Sequence, residues 1–264
     1  MGMQRLKRYF KKLKRAANRF YTIYWRQLLE KRHKNGKKYL FFKGEKQYSD
    51  TLIVSFAAFA PNGSRYNYVR ALRDIKCHKL FLLDDGAENH SGTYLIDKDS
   101  HDKAHEIIEE IIKKYNVKRQ FFIGSSKGGY CALDFSFCFP NTVCCIAAPQ
   151  YFVGDYMNTE SKLPNLRAAI EGEITESSLE EINNRLRNII KTSPIRPLRV
   201  YLHYSDKEHT YEEHVKFMLE DLHRGGIPVE EDAMHYASHD ELVNYFPAYL
   251  NKIMKKHIVL LSEL

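Results

Sequence analysis

From Tyr48 onward the chain alternates short apolar runs with amphipathic stretches. Thr51–Phe59 (TLIVSFAAF) is apolar at nearly every position and predicts a strand buried on both faces. Lys79–Leu83, Arg119–Ile123, Val143–Ala148, Arg199–Tyr204 and a last run near Val229–Tyr236 predict further strands. Between them, three- and four-residue apolar spacing predicts helices at Tyr66–Ile75, His101–Tyr115, Thr210–Arg224 and Glu241–Lys256, with one more from the glycine-rich turn at 124–129 through Phe139. Strand–helix–strand alternation of this kind implies an α/β fold with a mostly parallel central sheet and helices on both faces.

Two segments break the alternation. Residues 157–195 are polar, contain Pro164 and Pro194, and carry two helical patches, Asn165–Glu171 and Ser178–Lys191. An insertion at this place is expected to form a small helical cap above the strand ends, where open α/β sheets bind ligands; a surface excursion without a role is the bland alternative. Residues 4–30 read as an amphipathic helix. Leu6, Phe10, Leu13, Ala17, Phe20 and Tyr24 form its stripe, and Lys and Arg fill the other faces. Two readings stand for this helix. It lies on an anionic membrane surface, or it packs its stripe on the body or on a second subunit of a homo-oligomer. The expected organisation is a basic arm at 1–46 and a catalytic domain at 47–264 that includes the 157–195 cap.

Charge supports that division. The net charge of +8 conceals 16 Lys/Arg against 2 Asp/Glu in residues 1–46, a balance of +14, and 25 against 31 in the rest, a balance of −6. The basicity belongs to the arm, so the body does not read as a nucleic-acid enzyme. With 264 residues, 44% of them hydrophobic, the chain can fill one sizeable core. No apolar run reaches the ~20 residues of a membrane span, and no secretory h-region or myristoylation pattern is expected. Cys77, Cys131, Cys138, Cys144 and Cys145 are odd in number and lack metal-ligand spacing. They read as buried thiols of a cytoplasmic protein, and no metal is expected.

The chemistry concentrates at Gly124-Ser125-Ser126-Lys127-Gly128, a G-x-S-x-G placed between an apolar strand and a helix. In that context the motif predicts a nucleophile elbow. The flanking positions tolerate only very small residues, Ser126 is lifted clear of the sheet, and the Lys127 N–H points at a developing oxyanion. A glycine-rich turn that merely binds phosphate at a helix N-terminus is the alternative; the Walker spacing is missing. The expected fold is therefore the α/β-hydrolase fold, with its chain order of Ser, acid, His. Asp206, just past a strand, is the first choice of acid and Glu208 the second. His239, between the last strand and the closing helix, is the first choice of base; His235 is the second, because it falls inside the strand pattern. A second oxyanion donor is expected from the backbone of Ala57 or Ala58. Tyr66, Asn67 and Tyr68 suit a sugar ring or an ordinary helix start. Asp84 and Asp85 suit ligand contact or loop capping.

These residues carry a resemblance. Gly124-Ser125-Ser126-Lys127-Gly128-Gly129, Tyr66-Asn67-Tyr68, Gly92-Thr93-Tyr94, Ala148-Pro149-Gln150 followed by Asp155-Tyr156, and His239-Asp240 run in order over roughly residues 50–250. Together they resemble the α/β-hydrolase-fold O-acetyltransferases of bacterial capsular polysaccharide synthesis, and the accessory-secretion glycan-modifying proteins are similar around the elbow. The resemblance implies acetyl transfer from acetyl-CoA to a hydroxyl of a polysaccharide or oligosaccharide, with Ser126, Asp206 and His239 as triad. Gln150, with Tyr66, Asn67 and Asp85, is among the expected substrate contacts. The resemblance covers the body and not the basic arm. A plain serine esterase with the same triad, and a scaffold retaining the fold inside a membrane-associated complex, are the rival expectations.

Overall fold

The computed structural model describes residues 28–60, 63–86, 90, 92–159 and 176–258. The arm helix expected at 4–30 and the helical patch at Asn165–Glu171 lie almost wholly outside the described residues. Eight strands form one sheet in the order β1-β2-β4-β3-β5-β6-β7-β8. They are β1 (Lys31–Arg32), β2 (Lys38–Phe42), β3 (Thr51–Phe56), β4 (His78–Leu82), β5 (Arg119–Ser125), β6 (Thr142–Ala147), β7 (Arg199–Ser205) and β8 (Val229–Met234). β3 to β8 pair in parallel, whereas β1 and β2 join antiparallel at one edge. Phe41 of β2 faces Leu80 of β4 in register.

That hairpin corrects the expected boundary at 46. Residues 31–42 are the edge of the body's own sheet. Tyr39, Leu40 and Phe41 alternate between the two faces and pack on both cores, which the lysine-rich surroundings of this stretch conceal in sequence.

The apolar runs are continuous because the parallel strands are covered twice. Leu52, Val54 and Phe56 of β3 face one core, while Ile53 faces the other. The first core is closed by helices α1 (Lys98–Tyr115), α2 (Lys127–Ser136), α3 (Val153–Thr159), α4 (Glu176–Thr192) and α5 (Lys216–Arg224). The second is closed by α6 (Leu242–Ile258) and by the segment around Leu72 and Ile75. Residues 69–74 of that segment form turns, not the helix expected over Tyr66–Ile75.

α4 is not a lid. Its stripe of Ile182, Leu186 and Ile190 is buried in the first core. Arg185 pairs with buried Asp134 of α2 at 2.9 Å and Arg187 with Asp221 of α5 at 2.8 Å. α3 crosses it so closely that a Cβ at Gly154 would stand 2.3 Å from the Leu179 carbonyl oxygen. The second half of the expected cap is therefore a covering helix of the body.

Candidate active site

β5, β6, β7 and β8 are parallel neighbours, so their C-terminal ends share one edge of the sheet. Ser126 follows β5, Asp206 and Glu208 follow β7, and His235 and His239 follow β8. Ser126 has φ 52° and ψ −123°, a left-handed conformation that a residue with a Cβ adopts only when its surroundings hold it there. The constraint is visible on both sides. A Cβ at Gly124 would stand 2.1 Å from the Gly128 carbonyl oxygen, and a Cβ at Gly128 would stand 2.5 Å from that of Phe56. The turn thus closes only with glycine at both positions, and it rests directly on the backbone that leaves β3. Ser126 is 8% exposed, and α2 begins at the next residue.

The ends of β7 and β8 carry two acid–imidazole pairs. His235 Nδ1 meets Asp206 Oδ1 at 2.8 Å, and His239 Nδ1 meets Glu208 Oε2 at 3.0 Å. The expected pair of Asp206 with His239 is not formed; Asp206 stands with His235 and Glu208 takes His239. Exposure separates the two. The side chains of His235 and Asp206 are 73% and 34% exposed, those of His239 and Glu208 26% and 0%. Burial alone would raise the Glu208 carboxyl. Hydrogen bonds with His239 and the Thr210 hydroxyl, reinforced by the imidazoles of His239 and His209, outweigh it and leave the group below its ordinary range. An ionised carboxylate only accepts hydrogen bonds, so His239 donates to Glu208 through Nδ1–H. The hydrogen bonds of the described residues tie His239 to Glu208 and not to Ser126. His214 lies behind this group in a π-type turn, accepts from Phe152 N–H at 3.2 Å, and is pushed down to about 4 by burial.

Beneath the elbow lies an ion pair that no motif announces. Lys127 Nζ, fully buried, bonds Asp84 Oδ2 at 2.6 Å. The same carboxylate accepts Thr93 N–H at 3.0 and 3.1 Å. Burial opposes the charge on Asp84, but Lys127 and Lys37 overcome it and hold the carboxyl below its ordinary range. Gly92, at φ 97°, lets the chain pass this pair; a Cβ there would stand 2.1 Å from Lys127 Nζ. Tyr94, two residues on, donates to Gln150 Oε1 at 2.6 Å with both residues buried. The Gly92-Thr93-Tyr94 and Ala148-Pro149-Gln150 motifs thus brace the elbow from below.

The expected substrate contacts divide. Tyr66 and Asn67 line a groove of about 860 Å³ between residues 58–74 and the first half of α6, which Ala58, Tyr68, Arg70 and Ser125 also line. Gln150 is turned to Tyr94, and Asp85 is paired with Lys38 of β2 at 2.6 Å, so neither faces that groove. Of the expected oxyanion donors, Ala58 N–H is already bonded to Asn67 Oδ1 at 2.9 Å. His33, Glu106 and Glu110 offer donor atoms within 4.8 Å of one another. Lys34 Nζ bonds both carboxylates, at 3.0 and 2.6 Å.

No protein-family model matches the chain. No curated protein matches it either. Solved structures do. The capsule O-acetyltransferase of Neisseria meningitidis serogroup A aligns with a TM-score of 0.71 at 22% identity, over 86% of this chain and 93% of that one. The fluorophosphonate-binding serine hydrolase FphF of Staphylococcus aureus aligns at 0.61 and 13% identity, over 87% and 96%. The chain has the α/β-hydrolase fold. A Gap123 glycosylation-associated protein complex from Streptococcus agalactiae aligns at 0.69 and 14% identity over 87% of this chain and 46% of that one. The Neisseria enzyme has also been solved as a mutant in complex with CoA. Within the α/β-hydrolase fold, the elbow after β5 and the loops after β7 and β8 are where a nucleophile, an acid and a base stand.

Proposed function

We propose that this chain is a serine acyltransferase that moves an acetyl group from acetyl-CoA to a hydroxyl of a capsular or other surface polysaccharide. The observation that carries the reading is the strained Ser126 elbow standing at the same sheet edge as the Glu208–His239 pair, whose carboxylate is buried. Glu208 holds His239 with Nδ1 protonated. His239 Nε2 takes the Ser126 Oγ proton as Oγ attacks the acetyl carbonyl. The C–S bond breaks, and the proton passes to the departing thiolate. In the second half His239 takes the proton of a sugar hydroxyl, which attacks the acetyl-serine and frees Ser126. The Lys127 N–H serves the oxyanion in both halves. Likeness to a capsule O-acetyltransferase supports the donor and the acceptor class.

A serine esterase is the second reading, favoured by the likeness to FphF. The two share the acyl-enzyme and differ in what resolves it. Among the described residues no helix is long and apolar enough to cross a membrane. Residues 1–27 hold nine Lys/Arg and no Asp/Glu, and we assign them to the anionic inner face of a membrane, with the body in the cytoplasm.

The test is the mass of the Ser126 peptide after exposure to acetyl-CoA. An acetyl adduct that persists until a polysaccharide acceptor is added supports the transferase. An adduct released as acetate at the same rate without acceptor supports the esterase. No adduct in either setting overturns both.

A further inference from the structure

The Ala58 N–H is one of the two backbone groups, with that of Ala57, expected to serve as second oxyanion donor, yet it points at the Asn67 amide oxygen, 2.9 Å away. A backbone N–H has one direction, so an acyl oxygen using it would have to displace Asn67. Asn67 is poorly placed to leave. Its carbonyl accepts the Ser55 hydroxyl at 3.1 Å. The next residue, Tyr68, holds a left-handed φ of 64° and donates its hydroxyl to Ser125 Oγ at 2.5 Å. Residues 67 and 68 are thereby pinned to β3, to the loop after it, and to the residue before the nucleophile. A tyrosine kept at positive φ by flanking bonds marks a segment whose shape is over-determined.

A side-chain amide presents one oxygen and one NH2. With the oxygen turned to Ala58, the NH2 is turned away from that loop, and Asn67 lines the groove together with Ala58 and Ser125. Among the described residues no protein acceptor takes the Nδ2 protons. The elbow is close by, since a Cβ at Gly128 would stand 3.1 Å from the Ala57 carbonyl carbon. The Ala58 N–H bond also polarises the Asn67 amide and strengthens its Nδ2–H as a donor.

We propose that Asn67 is a catalytic residue whose Nδ2–H donates to the oxyanion alongside the Lys127 N–H, in the place the sequence assigned to the Ala57 or Ala58 N–H. This rests on the serine acyl-transfer reading. As the Oγ–C bond forms, the carbonyl pair moves onto oxygen, and Nδ2–H bonds that oxygen while keeping its proton. Collapse restores the carbonyl, breaks the bond to the leaving group, and the His239 proton goes to that group. A donor on a side chain can be deleted, which a backbone donor cannot.

The experiment is the pre-steady-state burst of p-nitrophenolate from p-nitrophenyl acetate, with wild type, Ser126→Ala, Asn67→Ala and Asn67→Asp, each with its melting temperature. Asp keeps an acceptor for Ala58 N–H but offers no donor. Asn67→Ala and Asn67→Asp are each expected to acylate about 10²–10³-fold more slowly than wild type, the range for loss of one oxyanion donor, with Asn67→Asp near the wild-type melting temperature. Wild-type acylation by Asn67→Asp would make Asn67 a prop for the loop and overturn the proposal, as would wild-type acylation by Asn67→Ala. Should Asn67→Ala unfold, Asn67→Asp decides alone. A wild-type protein without a burst, indistinguishable from Ser126→Ala, would overturn the serine reading and this inference with it.

Discussion

At the scale of single residues, the choice of acid turns on strand register. Ser205 of β7 stands opposite Met234 of β8. The next step along each strand brings Asp206 opposite His235, and Asp206 N–H still bonds the Met234 carbonyl. Asp206 is thus the last member of the ladder, paired across it with the first residue beyond β8. Glu208 lies past the turn, where the chain has left the ladder and dips inward. Sequence puts an acid near the strand end but cannot tell which of two, since Asp206 and Glu208 are only two positions apart. The expected outcome is that Glu208→Gln lowers acyl transfer by about 10⁴-fold, the cost of losing the carboxylate that holds the imidazole tautomer. Asp206→Asn should lower it by less than about tenfold, because it breaks only a solvent-facing pair. Single-turnover acylation rates of the two variants check this, and the reverse ranking would return the acid to Asp206.

At the scale of elements, the elbow is held by what lies under it. α2 begins with Lys127, whose ammonium reaches down to Asp84 at the end of β4 and joins the loop through Thr93 to the nucleophile turn. The sequence places Asp84 after a strand and Lys127 after the nucleophile, 43 positions apart, with nothing local to connect them. A buried pair need not add net stability, but removing one partner leaves a charge without compensation. Lys127→Met should therefore cost about 3–5 kcal/mol. Asp84→Asn combined with Lys127→Met should cost less than Lys127→Met alone, since the amide oxygen still accepts Thr93 N–H and Asp84 no longer carries the charge that Lys127 had balanced. Urea unfolding of the three variants measures the difference. A double variant less stable than Lys127→Met would mean that Asp84 is balanced by Lys37 and not by Lys127.

At the scale of the whole molecule, the β1–β2 hairpin belongs to the body's sheet. Removing residues 1–27 leaves the β1–β2 hairpin in place. Removing 1–46 strips that hairpin, uncovers Leu80 and Phe81, and leaves β4 as an open apolar edge that invites pairing with other chains. The shorter deletion is expected to remain folded and to lose co-sedimentation with anionic vesicles at low salt, whereas the longer one should elute as aggregate on size exclusion. Undiminished vesicle binding after the shorter deletion would remove the membrane role from residues 1–27.

The sequence by itself determined the α/β class, the positions of the parallel strands, and the elbow. These are written locally, in apolar runs the length of strands and in glycines where a turn admits nothing larger. It also determined that an acid after β7 and a histidine after β8 would converge, because parallel strands bring their ends to one edge. Only the tertiary structure decided which acid meets which histidine, that α4 fills a core instead of covering a site, that lysine-rich residues 31–42 are sheet, and that the Ala58 N–H is taken by Asn67. Each of these depends on register or on contacts between residues distant in sequence, and neither periodicity nor spacing encodes them.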